Sequence, residues 1–174
     1  MRHKTNKIVL SGLFIALGIV IPFLFGHSFG MRGIVFLPMH MPVLLCGLTC
    51  GPIYGLLCGI LTPLLSSAIT GMPSTFPMLP VLICELSLYG MISGWTYSIK
   101  SYPIYLSLFF TIFIGRITNG IVLAVLLSLH STGLFLLSAV YSVLSGLPGV
   151  IIQFLLVPIL LRYFESEINK LEHS

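Results

Sequence analysis

The chain has 174 residues, of which 57% are hydrophobic and 7% are charged, and its formal net charge is +4. Because a soluble domain carries roughly 25% charged residues, this composition excludes a water-solvated surface and indicates an integral membrane protein. A spanning helix needs about 20 apolar residues, so the length allows about six spans and leaves no room for a soluble catalytic domain. The positive charges form no basic patch, which argues against nucleic-acid binding.

The apolar runs predict one all-α domain, residues 1–174, that forms a bundle of six transmembrane helices. A transmembrane barrel is excluded because the runs are continuous instead of alternating. The predicted spans are residues 8–25, 35–50, 54–69, 78–97, 105–129 and 135–162.

The first span follows a polar segment, residues 1–7, whose basic residues mark a cytoplasmic flank. It is too long for a signal peptide and no small-residue cleavage site follows it. Gly12 and Ala16 are four residues apart in this span. Such a pair of small residues lets another helix approach closely, either within this chain or in a partner. An external loop is predicted over residues 26–35.

The second span contains His40 between Pro38 and Pro42. Prolines remove backbone donors and favour kinks. In a membrane this is tolerated only where protein or a wet cavity satisfies the freed groups. The span is therefore predicted to be short and broken, with His40 either a satisfied core residue or part of a cavity wall. A second external loop, residues 70–77, follows the third span.

The fourth and fifth spans carry the deep charges. Glu85 is predicted to lie about 10 Å below the outer end of its helix, with Tyr89 four residues later on the same face. In the fifth span, Asn119 and Arg116 lie about 14 and 19 Å below the outer end. A charge near the bilayer centre costs a few kcal/mol or more unless it has a partner or faces a wet cavity.

Two interpretations of these residues remain open. Arg116 and Glu85 form a structural ion pair between two helices, or they belong to a polar pocket with Asn119, His40 and Tyr89. In the second case, the planar fork of Arg116 suits the clamping of a carboxylate.

The sixth span is interrupted by Gly146-Leu147-Pro148-Gly149, and Gln153 is its main deep polar residue. We expect Gln153 to make an interhelical hydrogen bond. Residues 163–174 are predicted to be a short polar tail. With both chain ends in the cytoplasm, nearly all basic residues face inward, and Arg32 is the exception in an external loop.

The chain lacks the motifs of several enzyme classes. It has no Walker phosphate loop, no His-Glu-x-x-His motif and no Gly-x-Ser-x-Gly elbow. Its four cysteines complete no metal-ligand set with histidine, so neither a metal site nor a cofactor is predicted. Binding and translocation are favoured over catalysis. The alternatives are a small intramembrane enzyme that uses Glu85 and His40, and a structural subunit without a ligand.

Several motifs of the chain resemble those of the substrate-binding S-components of energy-coupling factor (ECF) vitamin transporters. They are Leu37-Pro38-Met39-His40-Met41-Pro42-Val43-Leu44, Gly51-Pro52-Ile53-Tyr54-Gly55, Thr62-Pro63-Leu64-Leu65-Ser66-Ser67, Phe76-Pro77-Met78, Glu85-Leu86-Ser87-Leu88-Tyr89-Gly90 and Gly115-Arg116-Ile117-Thr118-Asn119-Gly120. The resemblance covers nearly the whole chain.

The resemblance implies a subunit of a bacterial plasma membrane that binds a small vitamin from outside and does no catalysis. It implies docking on a transmembrane coupling subunit with two ATPase subunits, through small residues of the first helix. Gly12 and Ala16 match that spacing, with glycine in place of the first of two alanines. The chain looks most like the pantothenate branch, because an arginine suits an anionic vitamin. Niacin, folate, riboflavin and pyrimidine precursors are the alternatives.

Overall fold

The computed structural model describes residues 2–29, 39–129, 140–142 and 144–173, and no strand occurs among them. Its helices are α1 (Arg2–Phe29), α2 (His40–Cys50), α3 (Pro52–Thr70), α4 (Met78–Gly94), α5 (Ile104–Leu129) and α6 (Leu147–His173). A π-helical segment, Trp95–Ile99, continues α4. The predicted all-α class is therefore confirmed for the described part of the chain.

Five helical segments of this part are long and apolar enough to cross a membrane. They are Thr5–Leu24, Pro52–Thr70, Met78–Ile99, Ile104–Leu129 and Val140–Phe164. The remaining helix, α2, has 11 residues and is about 16 Å long, which is short of a bilayer core of about 30 Å. Residues 35–38 of the predicted second span lie outside the described residues.

Both ends of the chain are more helical than predicted. Helix α1 begins at Arg2 and ends at Phe29, so it includes the polar flank and residues 26–29 of the predicted first loop. The rest of that loop, with Arg32, lies outside the described residues. Helix α6 continues to His173, so residues 163–173 of the predicted polar tail are helical. Lysine and glutamate are good helix formers, so a fall in hydropathy marks the end of a span but not of its helix.

The prolines near His40 do not break a helix in the described residues. Helix α2 begins at His40, which places Pro42 in its first turn, where the backbone N–H has no intrahelical partner in any case. The described part of the predicted second span is therefore short, as predicted, and shows no break. Pro52 likewise lies at the start of α3, where a proline is tolerated. The preceding residue, Gly51, has a φ of 103°, a backbone conformation that favours glycine.

The loop between α3 and α4 is held by hydroxyl groups. Helix α3 ends at Thr70, and Gly71 caps it with φ 71°, as helix ends commonly do. The Ser66 hydroxyl donates to the Met72 carbonyl at 2.7 Å, and the Ser67 hydroxyl donates to the Pro73 carbonyl at 2.9 Å. The predicted connection over residues 70–77 is thus confirmed.

Glycines bring α3 and α4 into backbone contact. A Cβ built on Gly90 would lie 2.0 Å from the Gly55 carbonyl oxygen, and one on Gly59 would lie 2.2 Å from the Leu86 carbonyl oxygen. These distances leave no room for a side chain. Gly55 and Gly59, like Gly90 and Gly94, are four residues apart, a spacing of small residues that lets helices approach closely. Because α2 and α5 also pack on α4, Glu85 and Tyr89 lie in the centre of the bundle.

Candidate functional site

Four of the five predicted site residues meet at one buried carboxylate. Glu85 of α4 is fully buried. The Asn119 side-chain amide donates a hydrogen bond to Glu85 Oε2 at 2.8 Å. His40 Nε2 lies 3.3 Å from Glu85 Oε1, and Arg116 Nη1 lies 3.6 Å from the same oxygen. Helices α2, α4 and α5 therefore each contribute to one polar cluster, and its hydrogen-bonded pair, Glu85 and Asn119, was predicted at similar depth.

The contacts to Oε1 are electrostatic and incomplete. Neither meets the geometry of a hydrogen bond, since Glu85 Oε1 and His40 Nε2 have no hydrogen-bond partner among the described residues. A buried ion pair is favourable only when its remaining polar atoms are also satisfied. The cluster is therefore held firmly on the Asn119 side of Glu85 and loosely on the Arg116 side.

Tyr89, the fifth predicted residue, packs between the helices that form the cluster. Its ring meets the His40 ring edge-on, with centroids 5.0 Å apart and an interplanar angle of 79°. A Cβ built on Gly115 would lie 1.9 Å from Tyr89 Cε2, so only glycine leaves room for this ring on α5. The Tyr89 hydroxyl is buried and has no hydrogen-bond partner in the described part of the chain.

Two residues of the cluster were not predicted from the sequence. The Ser142 hydroxyl donates to Asn119 Oδ1 at 2.9 Å. A Cβ built on Gly146 would lie 2.6 Å from Arg116 Nη1, so the Gly146 backbone supports the guanidinium. Ser142 and Gly146 are four residues apart in the sequence, which is the spacing of neighbours on one helix face. This spacing is the signal that sequence reasoning missed.

The guanidinium of Arg116 keeps two free donors. Its Nε and Nη2 atoms are buried and have no hydrogen-bond partner among the described residues. These two N–H groups lie along one edge of the planar guanidinium, which is the geometry that takes both oxygens of a carboxylate. The ion pair with Glu85 involves only Nη1 of Arg116. It does not explain why the Nε–Nη2 edge is buried without a partner.

Two apolar grooves lie on the surface of the bundle. The smaller, about 330 Å³, is lined by Arg116 and by Phe113, Ile117, Gly120 and Ile121 of α5. The larger, about 490 Å³, is formed by residues of α3, α4 and the π-helical segment and contains no residue of the cluster. Groove size therefore does not identify the site, since apolar lining atoms alone offer no groups that orient a polar ligand.

Gln153 differs from its prediction. It is fully buried in α6, but neither of its amide atoms has a hydrogen-bond partner in the described part of the chain. The expectation that Gln153 makes an interhelical hydrogen bond is therefore wrong for the described residues.

No group of three His, Cys, Asp or Glu among the described residues is placed to hold a metal ion.

The small-residue pair of α1 lies on an open surface. Gly12 and Ala16 are both exposed, and a Cβ built on Gly12 would meet nothing within 4 Å. Gly18 faces the other way, since a Cβ there would lie 2.5 Å from Thr62 Cγ2 of α3. Packing within the chain therefore uses Gly18 and leaves the Gly12–Ala16 face uncovered by the described residues.

Comparison with known proteins gives one match. The family model of the ECF transporter, substrate-specific component, matches residues 6–161, which include every predicted site residue. No curated protein and no solved structure matches the chain. The matched range also contains all five apolar segments except the ends of the first and last. The chain therefore belongs to the substrate-specific components of ECF transporters, multi-pass membrane proteins that bind a substrate for an ECF module and are not enzymes.

Proposed function

We propose that this chain captures an anionic vitamin, pantothenate in the first place, and holds its carboxylate at Arg116. The observation that carries the proposal is the free Nε–Nη2 edge of a buried guanidinium. A buried polar group without a partner is rare in proteins and calls for a specific explanation. A carboxylate on this edge would form two charge-assisted hydrogen bonds, which are about twice as strong as neutral ones.

Glu85 prepares Arg116 for this role. Its carboxylate lies 3.6 Å from Nη1 and so lowers the free energy of the buried cation when no vitamin is bound. Asn119 fixes Glu85 through the 2.8 Å hydrogen bond, and Ser142 fixes Asn119 in turn. A site whose geometry exists before binding loses less entropy when the ligand arrives.

His40 and Tyr89 would form the wall of the pocket beside the carboxylate. Their rings are in edge-on contact, and His40 Nδ1 and the Tyr89 hydroxyl have no partner among the described residues. Both side chains therefore offer a hydrogen-bonding group together with apolar ring surface. Vitamin pockets of this kind are mostly apolar with a few placed polar groups.

The proposal includes an orientation and a partner surface. Both chain ends face the cytoplasm of a bacterial cell in this proposal, because the basic residues then lie inside. The exposed Gly12–Ala16 face of α1 docks on the transmembrane coupling subunit, which carries two ATPase subunits. The open space around Gly12 supports this surface, since small residues let helix backbones approach closely.

A binding panel on the purified full-length chain tests the carboxylate assignment. Calorimetry and thermal melting would compare pantothenate with nicotinate, folate and riboflavin. Two neutral analogues, pantothenol and nicotinamide, replace the carboxylates of their parent vitamins. We expect pantothenate to bind and pantothenol to bind at least about tenfold more weakly, because hydrogen bonds to charged groups contribute about 1.5–3 kcal/mol.

Variants of Arg116 supply the control. Arg116→Gln should remove the preference for pantothenate over pantothenol, and Arg116→Lys should restore it only in part, since lysine keeps the charge but lacks the planar fork. Arg162→Gln should change nothing, because Arg162 is exposed in α6. Equal affinities for pantothenate and pantothenol would contradict the role of Arg116. Absence of binding across the panel would contradict vitamin capture itself.

A further inference from the structure

Several neutral polar side chains are fully buried in the bundle. Tyr89, Thr111 and Gln153 have no exposed surface. The Tyr89 hydroxyl, the Thr111 hydroxyl and both amide atoms of Gln153 have no hydrogen-bond partner among the described residues. Each such group costs free energy when it is buried without a partner. Three of them in one bundle require an explanation beyond packing.

Other buried hydroxyl groups of the bundle are paired. The Ser66 hydroxyl donates to the Met72 carbonyl, and the Ser93 hydroxyl donates to the Gly90 carbonyl. The hydroxyls of Thr96 and Ser107 bond to each other. The fold therefore pairs these hydroxyl groups, whereas the polar groups of Tyr89, Thr111 and Gln153, like the ring nitrogens of His40, have no hydrogen-bond partner among the described residues.

The register between α5 and the residues just before α6 places Gln153. Ser142 meets Asn119 and Gly146 meets Arg116, so the two segments run antiparallel. Gln153 follows Gly146 by seven residues, which is nearly two turns, and so it shares the same face about 10 Å further along. Because the two segments run antiparallel, the residue of α5 at the same height lies seven residues before Arg116, at position 109.

The same register places Thr111 near Gln153. Thr111 is two residues from position 109, a difference in height of about 3 Å along the helix. It also precedes Gly115 by one turn on the same face, and Gly115 is the position against which the Tyr89 ring packs. All three side chains therefore lie at or below the level of Arg116, on helix faces that point into the bundle.

We propose that Tyr89, Thr111 and Gln153 form a second subsite that binds the neutral polar part of the substrate. This inference rests on the proposed function. It adds that the substrate carries amide and hydroxyl groups within about two helical turns, about 10 Å, of its carboxylate. The Gln153 amide offers one donor and one acceptor face to a substrate amide, and the two hydroxyls suit substrate hydroxyls. Pantothenate has this chemistry and nicotinate does not.

Near-isosteric variants separate a ligand role from a structural one. Gln153→Met and Thr111→Val remove hydrogen-bonding atoms at nearly constant volume. We expect each variant to weaken pantothenate binding by about tenfold, because binding would leave a polar group of the ligand unpaired. We also expect the melting temperature of the ligand-free chain to stay constant or rise, since a buried group without a partner is removed.

Thr118→Val is the matched control, because the Thr118 hydroxyl bonds to the Ile114 carbonyl at 3.0 Å on the same helix. It should leave pantothenate affinity unchanged. A lower melting temperature of ligand-free Gln153→Met together with unchanged affinity would overturn the subsite and make Gln153 a structural residue. Unchanged pantothenate affinity in both near-isosteric variants would overturn it as well. A wild-type chain that binds no vitamin would instead contradict the proposed function.

Discussion

Gly146 positions the cation of the Arg116 cluster. A Cβ built at this position would lie 2.6 Å from Arg116 Nη1 and 2.8 Å from Cζ, so a side chain there would displace the guanidinium. The displaced group is the end of a flexible side chain and not backbone. The bundle can therefore remain folded while Arg116 leaves its place beside Glu85.

Gly146→Ala should weaken pantothenate binding by about tenfold or more, which is the loss expected from one charge-assisted hydrogen bond. Its melting temperature without ligand should stay within a few degrees of the wild type. Calorimetry and thermal melting of the purified variant would measure both. Gly12→Ala is the control, because nothing lies within 4 Å of a Cβ at Gly12. Wild-type affinity in Gly146→Ala would show that the position of the guanidinium does not matter for binding.

Sequence reasoning at the level of single residues succeeded for the charged members of the cluster. Glu85 and Arg116 are visible in the sequence because an ionisable group in an apolar run needs a partner or water. Asn119 and Tyr89 followed from helical spacing to those charges. Ser142 and Gly146 were missed, because a serine and a glycine are common in membrane helices and carry no burial cost that would single them out.

At the scale of helices, glycine spacing has two different outcomes. The pairs Gly55–Gly59 in α3 and Gly90–Gly94 in α4 pack within the chain, where Gly55 and Gly90 contact each other's backbone. In α1, Gly12 and Ala16 are also four residues apart but stay exposed, with Leu13 beside them 47% exposed. All are pairs of small residues at the same spacing, and only the packing shows which pair has its partner in this chain.

Ala16→Leu should therefore disturb assembly and leave vitamin binding unchanged. A leucine on the proposed docking face would keep the helix backbones apart, and close approach is what small residues provide. Copurification of the chain with the proposed coupling and ATPase subunits would measure assembly, and calorimetry would measure vitamin binding. We expect at least about a fivefold loss of copurified partner, equivalent to about 1 kcal/mol.

Ala68→Leu is the matched control for this experiment, since Ala68 is an exposed alanine near the end of α3. It should copurify as the wild type does. Normal assembly of Ala16→Leu would place the partner on another face of the bundle.

At the scale of the whole molecule, the polar cluster lies toward one end of the bundle. Glu85 is seven residues from the start of α4 at Met78, and His40 is the first residue of α2. Both positions lie toward the loop over residues 71–77. The opposite end carries Lys100, whose ammonium lies 5.4 Å from the centre of the Trp95 ring. Tryptophan and lysine are typical of the membrane interface, and basic residues favour its cytoplasmic side.

Cysteine labelling of intact cells would test this orientation. In a Cys84→Ser background, Ser74→Cys should react with a membrane-impermeant maleimide added outside, because Ser74 is exposed in the loop between α3 and α4. Ser101→Cys, exposed near Lys100, should react only after permeabilisation. The other cysteines, Cys46, Cys50 and Cys58, are buried. Labelling in the reverse order would invert the proposed topology and put the vitamin site on the cytoplasmic side.

The sequence by itself determined the membrane class, the helical architecture and the existence of a deep polar site. These follow from composition, run length and the cost of a charge in an apolar medium, and each of these is a property of local sequence. Boundaries at the chain ends were less accurate, because helix formation does not stop where hydropathy falls.

Only the tertiary structure decided how the polar groups divide their contacts. It gave Glu85 a hydrogen bond to Asn119 and left one edge of Arg116 and the amide of Gln153 without partners among the described residues. It also distinguished the buried glycine pairs from the exposed face of α1. Such facts depend on which helices become neighbours, and on their rotation and register, which are set by packing among residues far apart in the chain.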